Sequence, residues 1–306
     1  MARKRKTRPG RGPTIAVWSI LAVSLGLIGY ACSHTERASR TTTQVDRTAT
    51  AAPLATAEPT VAPTLPPAAL SSPSPAITTA ARPAPQTSGP RLAIIIDDCG
   101  QWPVTERAFI ALPVALTLSI LPDVRYNHTI EREAASAGKG VMLHLPMETL
   151  SGVNPGPGKV TTEMDDDAIT AQVEHDLADV DLATGVNNHE GSKATADARV
   201  MTAVISVLAK DGRFFIDSRT NAKSVGKQVA TEHGVRTAAR DVFLDNRADV
   251  DYSEGQLRQA AALAIRTGSA IAIGHPRPTT LDALRAVIPE FQAQGITFVL
   301  VSDLVH

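Results

Sequence analysis

The run Arg91-Leu-Ala-Ile-Ile-Ile-Asp97-Asp98-Cys99-Gly100 decides how the chain is read. Leu92 to Ile96 is an unbroken apolar stretch rich in β-branched residues, the pattern of a strand buried on both faces in a helix-covered parallel sheet. Two carboxylates at its carboxyl end cannot share that burial; they must be solvated, paired or bound to a cation. Neighbouring side chains on a strand point to opposite faces, so one aspartate is expected near the sheet axis and the other toward the first loop. One could then hold a cation while its unligated neighbour serves as general base toward a metal-bound water. The alternative is that one of them caps the helix opening at Pro103.

Beyond this run, short apolar stretches alternate with longer helical patterns, as in successive βαβ units. Further strands are expected at Val114 to Leu121, Gly140 to Leu145, Gly185 to His189, Arg213 to Asp217, Val235 to Asp241, Ser269 to Gly274 and Ile296 to Val301. Helical patterns cover Arg125 to Ala137, Asp165 to Ala183, Thr195 to Lys210, Ser253 to Thr267 and Thr279 to Gln294, with Gly138, Gly212, Gly268 and Gly295 placed to terminate several of them. Seven to eight parallel strands imply an α/β fold, an irregular (β/α) barrel over residues 91–306. Asp97, Asp98, His144, His189, Asp217, Asp241, His275 and Asp303 fall at or just past strand ends, where the functional face of such a barrel begins.

Asp98, His144 and His189 together offer one oxygen and two nitrogen donors, leaving positions for water and substrate as in open catalytic metal sites. A satisfied core histidine is the bland alternative for each imidazole. Zn²⁺ is the favoured ion for this set, with Ni²⁺, Co²⁺ and Mn²⁺ also compatible. His275, in Gly274-His275-Pro276, could protonate a leaving group or be an ordinary hydrogen-bonded loop residue. Asp217 could orient an imidazole, bind sugar hydroxyls or cap a helix. His128, His175 and His233 lie in helical patterns and read as surface residues.

Toward the amino end the composition changes twice. Residues 33–90 are dominated by Ala, Thr, Pro and Ser, too poor in bulky apolar groups to offset their ordering entropy, and are expected to be a disordered, partly extended linker. Residues 1–12 carry Arg3, Lys4, Arg5, Lys6, Arg8 and Arg11, and the apolar run Ile15 to Cys32 follows within residues 13–32. That order reads as a cytoplasmic basic segment and a signal anchor in the inner membrane, placing the domain in the periplasm or outside the cell. Cleavage, or lipidation at Cys32, is the alternative, although Tyr30 is bulky for a lipoprotein box. Cys32 and Cys99 offer no internal disulfide framework. With 30 Lys plus Arg against 31 Asp plus Glu, no global field recruits nucleic acid. Dinucleotide-binding, Walker, serine-elbow and zincin motifs are absent from the sequence.

The joint pattern Ile-Ile-Asp97-Asp98-x-Gly100, Leu118-Ser119-Ile120-Leu121-Pro122, His144-Leu145-Pro146-Met147-Glu148, Asn187-Asn188-His189-x-Gly191-Ser192, Phe214-Phe215-x-Asp217-Ser218 and Gly274-His275-Pro276 resembles the divergent polysaccharide deacetylase family, distant relatives of the NodB-type carbohydrate esterases. The resemblance spans 91–306. It implies Asp97 as base, Asp98 as metal ligand and His275 as proton donor. Better-known relatives carry His-x-x-x-His where this chain has His144 and Glu148, so His189 is the suggested third ligand. Glu148, Asn188, Asp217 and Ser218 are then expected to support the site or contact substrate. Met147 to Val160, rich in Gly and Pro, would form a flexible wall of the sugar cleft, while an aromatic content of 4% argues against a long stacking platform.

The function so implied is metal-dependent removal of N- or O-acetyl groups from an envelope polysaccharide or peptidoglycan-type substrate. The second reading is a catalytically weak barrel that binds glycans or protein partners in envelope remodelling. A glycoside hydrolase with Asp97 paired to Asp217 or Asp241 would leave the histidines unexplained.

Overall fold

The computed structural model describes residues 89–306; the expected basic segment, signal anchor and linker up to residue 88 lie outside them. Among the described residues no helix is long and apolar enough to cross a membrane.

The elements run β1 (Arg91–Cys99), α1 (Pro103–Ile110), β2 (Thr117–Ile120), α2 (Asn127–Ser136), β3 (Gly140–Met147), α3 (Asp166–Asp179), β4 (Gly185–Glu190), α4 (Ala198–Asp211), β5 (Phe214–Asp217), α5 (Gly226–Glu232), β6 (Thr237–Ala239), β7 (Val242–Phe243), α6 (Val250–Thr267), β8 (Ser269–Gly274), α7 (Pro278–Ala293) and β9 (Thr297–Val299). All eight expected strands are present. β7 and the seven-residue α5 are additions, too short for a periodic signal, whereas α1 is the helix expected to open at Pro103. Two helix starts move inward because an aspartate at or near the expected start is the cap. Asp165 accepts from Ala168 N, and Asp197 from Arg199 N and Val200 N. At the other end, Gly212 and Gly268 take left-handed conformations that a side chain would strain.

The strands pair in parallel in the order β6-β5-β4-β3-β2-β1-β8-β7. No ladder joins β6 to β7 among the described residues, so the sheet curls into a half-barrel with a seam rather than a closed barrel. β9 pairs with the first three residues of β1, whose later residues pair with β2. Beside the seam, Thr237 N donates to His306 O.

Alternation along the strands separates two cores. Leu92, Ile94 and Ile96 face the helix layer, whereas Ala93 and Ile95 join Met142, Phe214, Ile216, Ile271 and Ile273 inside the sheet's curve. Val299, Val301, Leu304 and Val305 plug that inner core. Continuing the inward rows toward the carboxyl ends brings Asp97, Ser119, His144, Asn187 and His189 to one mouth.

Candidate metal and catalytic site

The mouth owes its shape to an irregularity in β1. Ile96 pairs with Leu118 and Cys99 with Ile120, so three steps on β1 oppose two on β2. This bulge puts Asp98 at φ 57, a left-handed conformation that aspartate tolerates better than most residues. The simple alternation expected for the pair is thereby overturned. Both carboxylates approach His144 Nε2, Asp97 Oδ2 at 3.6 Å and Asp98 Oδ1 at 3.3 Å. Neither caps a helix: α1 is preceded by Trp102, and Glu106 Oε1 accepts from the amides of Gly100, Gln101 and Trp102.

Asp98 Oδ1, His144 Nε2 and His189 Nδ1 form a triangle. His189 Nδ1 stands 2.9 Å from Asp98 Oδ1 and 3.1 Å from His144 Nε2, and the remaining edge is 3.3 Å. A cation about 2.1 Å from each donor separates neighbouring donors by about 3.0 Å in an octahedron and about 3.4 Å in a tetrahedron. The triangle therefore fits one face of a coordination polyhedron. Asp98 Oδ1 is sealed from solvent without a well-directed hydrogen bond, and two ring nitrogens facing each other need a proton or a cation between them.

The ring of His144 is locked from behind. Its Nδ1 lies 2.9 Å from Asn187 Oδ1, which also accepts from Ser119 Oγ at 2.5 Å, while Asn187 Nδ2 donates to Asp97 Oδ1 at 2.9 Å and Ser218 Oγ at 3.1 Å. With its oxygen accepting and its amide donating, Asn187 keeps the proton on His144 Nδ1 and turns the Nε2 lone pair toward Asp98 and His189. Asn187 also ties Asp97 and His144 into one network, a role its sequence context did not reveal.

Burial pushes the Asp97 carboxyl up, against the charges of His144 and His275 and the Asn187 hydrogen bond. Burial also pulls Asp98 upward, but the close approach and charge of His144 and His189 carry it well below the ordinary carboxylate range. Two neighbouring carboxylates thus differ in character, one more basic and one firmly ionised. Burial lowers His144, yet Asp97 and Asp98 outweigh it and raise the imidazole.

His275 Nε2 lies 3.7 Å from Asp98 Oδ2, at the same mouth. Its Nδ1 is 2.9 Å from Oδ1 of the fully buried Asp245, whose Oδ2 accepts from His275 N at 2.8 Å and Thr280 Oγ1 at 2.7 Å. Asp245, not Asp217, orients an imidazole here. Desolvation works to lower His275, and the Asp245 hydrogen bond and charge raise it. Phe243 packs against the His275 ring at 5.3 Å, and the Arg240 guanidinium lies 5.0 Å over Phe243.

The chain belongs to the divergent polysaccharide deacetylase family. Its family model matches residues 94–305. A Haemophilus influenzae protein described as uncharacterized is 38% identical over 196 residues, 64% of this chain and 70% of that protein. The Escherichia coli protein YibQ, also described as uncharacterized, is 35% identical over 219 residues, covering 71% of this chain and 67% of its own. Among solved structures, an uncharacterized protein of Agrobacterium tumefaciens C58 superimposes with a TM-score of 0.68 at 24% identity, covering 71% of this chain and 89% of that one, which shows the shared fold.

Other residues expected to support this deacetylase-family site act mainly as braces. Glu148 accepts from Lys193 Nζ at 2.7 Å and from Thr162 N and Oγ1 at 2.8 and 2.7 Å, tying down the base of the β3–α3 loop. At that base Val160 N donates to Pro146 O, whereas Leu150 and Val153 near the tip are exposed. Asn188 Oδ1 accepts from Ser218 N, and Asp217 accepts from Arg219 N and Ser224 Oγ; both shape the loop after β5. Only Ser218, through Asn187, joins the central network.

Proposed function

We propose that this chain is a metal-dependent deacetylase that removes N- or O-acetyl groups from an envelope polysaccharide or peptidoglycan-type glycan. Family membership supports the reaction class, and the observation that carries the reading is the 2.9–3.3 Å triangle of Asp98, His144 and His189 with Asp97 and His275 beside it. Asp98 Oδ1, His144 Nε2 and His189 Nδ1 would hold a divalent ion, Zn²⁺ suiting two imidazoles and a carboxylate. When bound, that ion supplies Lewis-acid polarisation of the acyl carbonyl and acidifies a water.

The protein's own groups manage the protons. Asp97, raised by burial and braced by Asn187, accepts a proton from the attacking water. His275, charged through its contact with Asp245, donates from Nε2 to the departing amine or alcohol, and Asp245 stabilises the imidazolium beforehand. The basic and apolar order of residues 1–32 supports a membrane-anchored, outward-facing domain that meets its glycan in the envelope.

The test measures bound metal and acetate release together, with the full chain acting on N-acetylated oligosaccharides and peptidoglycan fragments. Metal-dependent acetate release, lost in Asp98→Ala together with the ion, is expected. A chain that binds no ion under metal-replete conditions would overturn the proposal and leave a glycan-binding barrel.

A further inference from the structure

A second group of donors lies away from this mouth, where the loop after β2 meets α3. His175 Nε2 is 3.4 Å from Asp123 Oδ2, and one donor atom from each of Asp123, His175 and Asp176 lies within 4.8 Å of the others. Surface ion pairs of this type are common and contribute little. Asp176 makes this one different. Its side chain is wholly buried; Oδ1 accepts from Gln172 Nε2 at 2.8 Å, while Oδ2 has no partner among the described residues. An unpaired carboxylate oxygen in that setting carries a desolvation cost that a proton or a cation must relieve.

The surroundings of the Asp176 carboxylate are closely built. Asp179 Oδ2 accepts from Asp123 N at 2.6 Å and from Asn127 Nδ2, holding the β2–α2 loop against α3. Asp179 Oδ1 faces His128 Nε2 at 3.3 Å. From the opposite side, the β3–α3 loop lies so close that a Cβ on Gly158 would stand 2.6 Å from Asp176 Oδ1. Among the described residues no Lys or Arg side chain pairs with the free Asp176 oxygen. Asp123 and His175 are 39% and 59% exposed, so burial does not fix either side chain.

We propose that Asp123, His175 and Asp176 form a second, structural site for a first-row divalent cation, clamping the loop after β2 onto α3. An imidazole with two carboxylates selects a Zn²⁺-like ion over Mg²⁺ or Ca²⁺, which prefer all-oxygen sets. The clamp also acts on the β3–α3 loop, since Gly158 rests on the carboxylate that the ion would hold.

The test counts Zn²⁺ bound per full-length chain by equilibrium dialysis in excess Mg²⁺, after stripping with chelator. His175→Ala and Asp176→Asn are each expected to bind one ion fewer than wild type. His189→Ala should lose a different ion, so that the loss in the His175→Ala/His189→Ala chain is the sum of the two. His175 is largely exposed, so its variant should fold even if Asp176→Asn does not. An unchanged Zn²⁺ count in His175→Ala would overturn the second site whatever happens at the first, and a loss confined to it would support the site even if the barrel mouth binds nothing.

Discussion

At the barrel mouth, Asp98, His144 and His189 come from β1, β3 and β4 of one sheet, with β2 between the first two, and His144 is backed by Asn187 and Ser119. Around Asp176, two of the three donors are half-exposed and borne by a loop and a helix surface, with only the third buried. One cluster is organised before any ion arrives, and the other must close around one. Strand ends in a packed sheet cannot drift, which suits chemistry demanding sub-ångström placement. Loop and helix surfaces suit a clamp, which needs only to pull two elements together.

The largest expected effects belong to the rigid cluster. Asp97→Asn should lower kcat for deacetylation by roughly 10²–10⁴-fold, the usual contribution of a general base, while bound metal stays at the wild-type level. Steady-state kinetics beside elemental analysis separates that outcome from collapse of the site, which would remove both.

Asp245→Asn should reduce kcat by about 10–100-fold, as for other buried partners that orient a functional imidazole. The sign of its pH effect follows from the His275 shift: Asp245 raises that imidazole, and a general acid works only while protonated. Removing the charge should move the alkaline limb of the kcat profile to lower pH. A limb left in place would mean that His275 is not the donor.

Asn187→Leu should weaken ion binding at the mouth by about 10–100-fold, since His144 loses the acceptor that fixes its tautomer. Competition with a chromophoric chelator reads the change directly. The same variant should leave the outer ion in place, which sharpens the contrast between the clusters.

The sequence exposed the rigid region far better than the adaptable one. Asp98, His144, His189 and His275 stand at the ends of apolar strand runs, where periodicity names both the element and the face. Asp245 escaped because it follows β7, two residues long, and Asn187 because a polar residue within a strand ordinarily reads as an interruption. The bulge at Asp98 was likewise hidden, since one extra residue leaves the apolar pattern intact while re-aiming the carboxylate. His175 read as a surface residue, and it is one. That Asp176 beside it is buried with a free oxygen depends on the β3–α3 loop folding over α3, a tertiary contact without periodicity.

The smallest predicted effect probes that hidden carboxylate in chelator-treated protein. Desolvation pushes Asp176 up to about 8 from 3.8, with Asp123 and Asp179 adding to the rise against the Gln172 hydrogen bond. Because the folded-state value lies above the unfolded one, the native state holds the additional proton between 3.8 and about 8, and stability falls as pH rises through that window. Asp176→Asn keeps a carbonyl oxygen for Gln172 and removes the ionisation, so it should flatten this slope and raise stability at pH 8 by about 1–2 kcal/mol. Urea denaturation of both chains from pH 5 to pH 8 measures the difference. Adding Zn²⁺ should then stabilise the wild type more than Asp176→Asn, reversing part of the advantage gained in chelator; equal stabilisation of both would separate the buried charge from the ion and leave Asp176 a protonated core residue.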